Sequence, residues 1–221
     1  MFRESKLILY AQALPKTLYF NLKYFKFRDA LKLPVLVSHR VYLMETKGAV
    51  EIAGPIRPGM IKIGFGDVGI FDKQRSRSVW QVTGKVVFYG RADLGHGSKL
   101  SVSGLLTIGP DFMITAESQI ICKHRMVIGR DVLISWDCLV MDSDLHQIID
   151  WAGNQINENR PVVIGDHVWL GCRVLLLKGT RLGNNLVIAA NSCLSGEFMV
   201  DSAVIGGTPP VVLKSGITWR H

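Results

Sequence analysis

Cysteine is scarce in this 221-residue sequence, and a long hydrophobic run is missing. The four cysteines form no Cys-x-x-Cys pair, which argues against a zinc knuckle and against a disulfide scaffold. Because all four lie in apolar stretches, we expect buried free thiols, which are typical of a reducing compartment. No apolar run approaches the ~20 residues that a membrane-spanning helix needs, and no small-residue cleavage site follows the first residues. The sequence therefore predicts a cytoplasmic protein.

Acidic residues are also few. Asp and Glu number 18 against 26 Lys and Arg, so the net charge is +8. This excess favours an anionic partner such as nucleic acid, a membrane surface or a phosphorylated cofactor. Nucleic acid is disfavoured because the sequence offers neither an aromatic platform nor a recognition helix. With 48% hydrophobic residues the chain can form a packed core, and its 22 glycines indicate many tight turns.

The clearest pattern is a repeat of six residues. An aliphatic residue recurs in one frame at Ile164, Leu170, Leu176, Leu182, Ile188 and Leu194, usually followed by a small residue. Shorter runs with the same spacing precede it, from Phe88, from Ile108 and from Ile128. Neither a helix nor a simple strand has this period. Six residues can form one short strand and one corner, so that three repeats close a triangular coil, and successive coils stack about 4.8 Å apart.

This repeat divides the chain into three predicted parts. Residues 1–47 form an N-terminal helical cap, 48–207 a β-helix, and 208–221 a C-terminal tail. Two excursions interrupt the β-helix, at about 67–79 and 142–160. In the second one an unbroken frame would bury His146 and Glu158, which is too costly, so the chain must leave the prism there. Long loops on a rigid scaffold often carry function.

The N-terminal segment allows two interpretations. Residues 16–32 mix aromatic and aliphatic side chains with Lys and Arg. This is typical of a short helix that packs on the first coil. The same composition also suits a segment that rests on anionic lipid, so residues 1–40 are a candidate for peripheral contact with the inner face of the cell membrane.

Two stretches stand out beside the hexads: Met141-Asp142-Ser143-Asp144-Leu145-His146, and Ile164-Gly165-Asp166-His167-Val168-Trp169-Leu170-Gly171. Together with Gly206-Gly207-Thr208-Pro209 they resemble the hexapeptide-repeat acyltransferases, in the galactoside and maltose acetyltransferase-like branch. Within it the chain is most similar to the bacterial polysaccharide O-acetyltransferases. The resemblance covers about residues 105–214.

The resemblance implies both a fold and a reaction. The fold is all-β, a left-handed parallel β-helix with a small helical N-terminal segment and an extended loop. The protein is expected to be a homotrimer whose active sites are each shared between two prisms. The reaction is transfer of acetyl from acetyl-CoA to a sugar hydroxyl, in cell-surface polysaccharide biosynthesis and with an acceptor that can be lipid-linked. No metal is expected.

By resemblance, His146 takes the place of the catalytic general base. A neutral imidazole can remove the proton of a sugar hydroxyl, which typically accelerates transfer by about 10²–10⁴-fold. A carboxylate normally orients such a ring, and Asp144 and Asp142 are the candidates. Both could instead be caps that shape the loop. Asp142 and His167 are also expected to contact the substrate, His167 from a structural position at a corner.

The donor site also follows from the resemblance. Trp169 is expected to contact the acetyl group of acetyl-CoA. The pantetheine arm is expected to contact Cys172, Ala190 and Ser195, and the phosphates Lys214. Relatives carry Thr-Lys where this chain has Ser195-Gly196. Lys178 or Lys214 would have to replace the missing lysine. Trp169, Cys172 and Ala190 can also be interpreted as ordinary wall residues.

Two alternatives stay open, and a third is disfavoured. The first is a hexapeptide-repeat scaffold or binding protein without catalysis. The second is an acetyltransferase whose acceptor is an antibiotic or a free oligosaccharide. A γ-class carbonic anhydrase would share the prism but needs three zinc-binding histidines, two of them in a His-x-x-x-x-His pair that this sequence lacks.

Overall fold

A computed structural model describes residues 6–66, 68–72 and 75–221 of the protein. Two helices precede the strands, α1 (Lys6–Tyr24) and α2 (Phe27–Ala30). The strands are β1 (Val35–Val37), β2 (Tyr42–Glu45), β3 (Ala49–Ile52), β4 (Ile61–Phe65), β5 (Val79–Val82), β6 (Lys85–Phe88), β7 (Ala92–Gly95), β8 (Lys99–Val102), β9 (Leu105–Ile108), β10 (Phe112–Ile114), β11 (Gln119–Cys122), β12 (Arg125–Ile128), β13 (Leu133–Ile134), β14 (Leu139–Met141), β15 (Val162–Ile164), β16 (Val168–Leu170), β17 (Leu175–Leu176), β18 (Arg181–Leu182), β19 (Leu186–Ile188), β20 (Cys193–Leu194), β21 (Glu197–Phe198), β22 (Ala203–Gly207) and β23 (Pro210–Ser215).

These strands form three sheets, and each of the strands β1 to β19 pairs in parallel with the strand three places later. Face 1 follows the order β1-β4-β7-β10-β13-β16-β19-β22-β23, face 2 runs from β2 to β20, and face 3 from β3 to β21. The chain therefore winds around a three-sided prism and contributes one strand to each face per coil. We call the edges corner 1–2, corner 2–3 and corner 3–1, after the faces they join. The predicted all-β parallel β-helix is confirmed.

The hexad residues point into the prism. The six aliphatic residues from Ile164 to Leu194 are at most 2% exposed. The residues two positions earlier, such as Val168 and Leu186, are buried as well. Alternate residues of a strand face opposite sides of the sheet, so each short strand contributes two side chains to the core and directs the one between them outward. Continuous apolar columns along the axis result.

The small residue after each hexad aliphatic has a steric cause. A Cβ added to Gly129 at corner 3–1 would lie 2.5 Å from the carbonyl oxygen of Gly165 in the next coil. A Cβ added to Gly165 would lie 2.3 Å from the carbonyl oxygen of Gly183. Real Cβ atoms do not approach backbone this closely, so glycine follows from the tight stacking of the coils.

The corners also use the polar residues expected there. Asp131 and Asn185 adopt positive φ of 54° and 53° at corner 3–1. Their neighbours form a ladder, in which Asp166 Oδ1 accepts the N–H of Arg130 at 2.8 Å and Asn184 Oδ1 accepts that of Asp166 at 2.9 Å. Short polar side chains tolerate the left-handed region and satisfy backbone donors at turns.

The β-helix begins earlier than the predicted boundary between 47 and 48, because β1 and β2 already pair within faces 1 and 2. Val35, Val37 and Val41 are completely buried. The six-residue step from Val35 to Val41 is not continued, so no repeat in this part of the sequence could reveal the first coil. The first excursion lies between β4 and β5, and its residues 67, 73 and 74 lie outside the described residues.

Helix α1 covers the open edge of face 1. Its Asn21 donates a hydrogen bond to the Val35 carbonyl at 2.7 Å and accepts one from the Val35 N–H at 3.2 Å. Thr17 Oγ1 accepts the N–H of Val37 at 3.0 Å. Phe20 is buried against Trp80, with ring centroids 5.1 Å apart. The helix therefore satisfies the backbone groups of an edge strand that would otherwise be exposed. None of the described helices has the length and apolar character required to cross a membrane.

Coil stacking predicts a specific cost for Gly129→Ala. The new methyl group must displace the backbone of the next coil, and overpacking typically lowers the free energy of unfolding by about 1–3 kcal/mol. Gly69→Ala is the matched control, since its Cβ would meet nothing within 4 Å and its φ is not positive. Urea unfolding measures both. Equal free energies of unfolding in the two variants would contradict the steric explanation.

Candidate functional site

The long loop leaves the prism at corner 2–3, after β14, and returns at β15. Asp142 anchors its start. The side chain is fully buried, and its two carboxylate oxygens accept the backbone N–H groups of Lys123 at 2.7 Å and His124 at 3.0 Å. Asp142 therefore caps the wall of the prism. This geometry gives no support to the expected substrate contact of Asp142, because neither oxygen faces solvent.

A clamp formed by Asp144, Asn157 and Lys178 holds the two arms of the loop together. Asp144 Oδ2 accepts hydrogen bonds from Asn157 Nδ2 at 2.8 Å and from Lys178 Nζ at 2.5 Å. Lys178 belongs to the next coil and also donates to the Asn157 carbonyl at 2.9 Å. The hydrogen bonds from Lys178 and Asn157 lower the pKa of Asp144 below its ordinary value. The expected orienting carboxylate is thus occupied in fixing the loop.

His146 lies in the turn that this clamp supports. Its N–H donates to the Asp144 carbonyl at 2.8 Å, and its own carbonyl accepts from Asn157 Nδ2 at 2.8 Å. Leu145 adopts a positive φ of 65° and donates its N–H to Ser143 Oγ. The backbone of His146 is held on both sides while its side chain is exposed. Within the described residues, no hydrogen bond reaches the imidazole, which leaves both ring nitrogens open to a substrate.

The tip of the loop exposes apolar side chains. It is closed by an antiparallel bridge between Ile149 and Gln155. Trp151 is fully exposed, and Ile148, Ile149 and Ile156 are half exposed or more. Exposed apolar patches of this kind mark contact surfaces. This surface was not predicted, although the apolar residues among the polar ones at 142–160 were a signal for it.

The expected donor residues lie mostly on another side of the prism. Trp169 points outward from β16 on face 1, and its Nε1–H donates to Ser135 Oγ at 3.0 Å. Cys172 and Ala190 are neighbours in successive coils at corner 1–2, and Lys214 is exposed on β23 of face 1. Ser195 follows β20, at the far edge of face 2. A single chain therefore does not bring His146 and Trp169 into one site.

His167 has a role that the sequence did not reveal. Its Nδ1 lies 2.6 Å from Asp131 Oδ2 and its Nε2 lies 3.2 Å from the Trp219 carbonyl. The imidazole stacks on the Trp219 indole with centroids 4.3 Å apart and an interplanar angle of 9°. Both ring nitrogens are engaged within the chain. This arrangement gives no support to the expected substrate contact of His167. It agrees with the other expectation, that His167 has a structural position at a corner.

The partner of His167 belongs to the C-terminal tail, which turns back along corner 3–1 after β23. The Ile217 N–H donates to the Ser202 carbonyl, and Asn185 Nδ2 donates to the Ile217 carbonyl at 2.8 Å. His221 Nε2 then lies 2.9 Å from Asp131 Oδ1. Partial burial raises the pKa of Asp131, but the hydrogen bonds from His221 and His167 outweigh this effect, and the pKa is lowered.

The tail also reaches the donor side. Trp219 is buried, and its ring centroid lies 6.1 Å from that of Trp169. The indole Nε1–H of Trp219 donates to the His167 carbonyl at 2.9 Å. The tail thus packs beside the residue expected to contact the acetyl group. Among the described residues, no group of three His, Cys, Asp or Glu side chains is placed to hold a metal ion.

Comparison with known proteins identifies several relatives of this chain. Over 143 residues the chain is 29% identical to WbbJ of Escherichia coli K12, assigned as an O-acetyl transferase of lipopolysaccharide biosynthesis, and the match covers 59% of this chain and 72% of WbbJ. Over 126 residues it is 43% identical to a galactoside O-acetyltransferase of Lactococcus lactis, covering 57% of this chain and 55% of that protein. Both of these relatives carry the name of an O-acetyltransferase. No protein-family model matches the sequence.

The resemblance to acetyltransferases expected from the sequence is thereby confirmed, and the chain is a homologue of acyltransferase enzymes. The chain spans only about half the length of several of these acetyltransferases. Among solved structures, the polySia-specific acetyltransferase NeuO shares the fold with a TM-score of 0.52 at 21% identity, covering 82% of this chain and 72% of that one. This shared fold agrees with the left-handed parallel β-helix expected from the sequence.

The clamp predicts that the loop loosens in acid. Because the pKa of Asp144 is lowered in the folded protein, its contribution is present above the ordinary Asp pKa of about 3.9 and is lost as the pH falls below it. We expect Lys178→Met to loosen the loop at neutral pH and acidification below about pH 4 to do so in the unmodified protein. Methyl NMR signals of Ile148 and Ile156 report both changes.

Lys123→Met is the matched control for this prediction, since it removes an exposed lysine at the same corner without touching the clamp. Loop signals of Lys178→Met that coincide with those of the control would show that the clamp does not order the loop.

Proposed function

We propose that the protein transfers an acetyl group from acetyl-CoA to a sugar hydroxyl of a cell-surface polysaccharide, with His146 as the general base. The observation that carries this proposal is the fixed backbone of His146 combined with an exposed imidazole that has no partner among the described residues. The names of the relatives support the reaction class and the kind of acceptor.

The chemistry requires one proton transfer and one acyl transfer. A neutral nitrogen of His146 accepts the proton of the acceptor hydroxyl while the hydroxyl oxygen attacks the thioester carbonyl carbon. The new C–O bond forms, the C–S bond breaks, and the CoA thiolate leaves and receives the proton from the imidazolium. A positioned base of this kind typically accelerates such a transfer by about 10²–10⁴-fold.

Side chains on the donor side suit an extended thioester arm. The side chains of Cys172 and Ala190 at corner 1–2 are small, and Trp169 on face 1 adds a partly exposed ring. Since Lys178 is engaged by Asp144, we assign the phosphate contact to Lys214.

His146→Ala should lower the rate of acetyl transfer by at least ~10²-fold, because it removes the base and leaves the clamp intact. The acetyl-CoA affinity and the thermal transition should not change. The measurement is transfer to an acidic or neutral polysaccharide acceptor, with binding followed by calorimetry. His124→Ala is the control, since His124 is also exposed at corner 2–3. Equal transfer activity in the two variants would refute His146 as the general base. Absence of transfer in the unmodified protein as well would favour a non-catalytic scaffold.

We also propose a homotrimer in which His146 of one subunit meets Trp169 of the next. Two observations support it. His146 and Trp169 lie on separate sides of one prism, and the apolar loop tip around Trp151 has no cover within the described residues. Burial of such a tip against a neighbouring prism would stabilise an assembly through the hydrophobic effect.

Mixed trimers test the shared site. His146→Ala and Trp169→Ala chains, each weakly active alone, should regain activity when they are unfolded and refolded together. The reason is that some interfaces then combine an intact His146 with an intact Trp169. If each site were built within one chain, no mixture would contain an intact site. Activity that stays at the level of the separate variants would contradict the shared arrangement.

Peripheral contact with anionic lipid is proposed for α1. Leu7, Leu14, Leu18 and Leu22 lie on one side of the helix, and each is at least 39% exposed. Lys23, Lys26 and Arg28 follow at its C-terminal end. An apolar stripe beside basic residues suits the surface of an anionic bilayer.

Replacement of Leu14, Leu18 and Leu22 by Glu should abolish sedimentation with phosphatidylglycerol vesicles, and phosphatidylcholine vesicles should bind the unmodified protein weakly. Met44→Glu, at an exposed position of face 2, is the control. Unchanged sedimentation of the triple variant would refute lipid contact. Dissociation of the assembly in mass photometry would instead show that a second copy covers the stripe.

A further inference from the structure

The first coils carry a groove at corner 3–1 that the proposed chemistry does not use. Two cavities of about 390 and 330 Å³ lie side by side there and share the walls at Gly59, Met60, Lys62 and Arg91. We call them together the N-terminal groove. It is formed by residues 57–60, 89–93 and 111–113, and it ends where His221 meets Asp131. It therefore continues the line of the C-terminal tail along the same corner.

One half of the groove is cationic. Arg57, Lys62 and Arg91 line the larger cavity. No salt bridge involves these three side chains within the ranges that the structure describes. Guanidinium groups bind carboxylates and phosphates with two parallel hydrogen bonds, and Lys62 adds a point charge. This half is suited to an anionic group.

A carboxylate in the second cavity lacks a donor. Asp93 lines this cavity, and its Oδ1 is buried without a hydrogen-bond partner among the described residues. Burial raises the pKa of Asp93, an effect that Lys62 and Arg91 oppose. A buried acceptor without a partner is costly, so a ligand that brings a hydroxyl donor is favoured at this position.

An aromatic ring completes the groove. Tyr89 is 55% exposed and lines the larger cavity beside Arg91. Its ring offers an apolar face and its hydroxyl a polar one. An acidic sugar chain combines a hydroxyl donor for Asp93, an anionic group for Arg57 and Arg91 and an apolar ring face for Tyr89.

We propose that the N-terminal groove binds an acidic saccharide. It would hold the acceptor polysaccharide through a part of the sugar chain that lies at a distance from the reacting hydroxyl. This deepens the proposed function and rests on it for the identification of the ligand as acceptor. The binding itself needs no turnover. The phosphates of acetyl-CoA are the other anionic groups that could lie there, and the experiment separates the two.

The test is a glycan array that carries sialylated, uronic acid-containing and phosphorylated glycans beside neutral ones. The unmodified protein should bind acidic members, and Arg57→Gln/Arg91→Gln and Tyr89→Ala should each weaken that binding at least tenfold. Arg125→Gln, an exposed arginine on face 3, is the matched control. All variants should keep the acetyl-CoA affinity and the thermal transition of the unmodified protein.

Three results would overturn the inference: binding to neutral glycans alone or to none, acidic binding unaffected by the groove variants, or a parallel loss of acetyl-CoA affinity. The proposed reaction can fail independently. His146→Ala should bind acidic glycans like the unmodified protein, and transfer activity that survives this substitution would overturn the general base without affecting the groove.

Discussion

Hydrogen bonding between coils is the constraint on which the rest of the molecule depends. Each of the strands β1 to β19 pairs with the strand one coil later, and the corner residues make similar bonds between coils, as in the donation from the Asp131 N–H to the Pro110 carbonyl. A strand spacing of about 4.8 Å leaves no room for a Cβ at corner positions such as Gly129 and Gly165, which directly follow a hexad aliphatic residue. The close stacking of the coils explains the columns of glycine and the inward aliphatic residues. It also explains the Asp and Asn residues that adopt positive φ at the corners.

The same constraint explains why the loop is conspicuous. A wall whose every coil is tied to the next has no inward position for a titratable side chain, so an insertion that carries such residues in the hexad frame must leave the wall at a corner. Asp142 closes the wall where the chain departs, and Lys178 reaches from the following coil to hold the departing segment. The rigid wall thus gives an exposed histidine a fixed backbone, which a free loop would not provide.

Much of the fold could be predicted because its information is local and repeated. Each hexad from Ile164 to Leu194 places its aliphatic residue in the same environment, so one frame identifies the whole wall. The first coil escaped prediction because its buried valines do not keep that frame. The tail escaped because its contacts join residues far apart in the sequence, such as His167 and Trp219, and single side-chain pairs leave no period.

The candidate site was predicted in part for the same reason. The break in the frame located His146, but it could not show that Asp144 turns to Lys178 and Asn157 instead of the imidazole. That choice depends on how two arms of an irregular loop meet. The placement of donor and base residues on separate sides also depends on the number of residues per coil, which the two excursions obscure.

Helix α1 and strand β23, at the two ends of the prism, determine how the number of coils can change. Thr17 and Asn21 occupy the backbone groups of β1, and β23 lies antiparallel on β22 at the other end. These end pieces terminate a stack that has no intrinsic reason to stop. A whole coil could therefore be duplicated or deleted between them without exposing a new edge. Coil number is free to vary in evolution, whereas both terminators must be kept to prevent end-to-end growth of fibres.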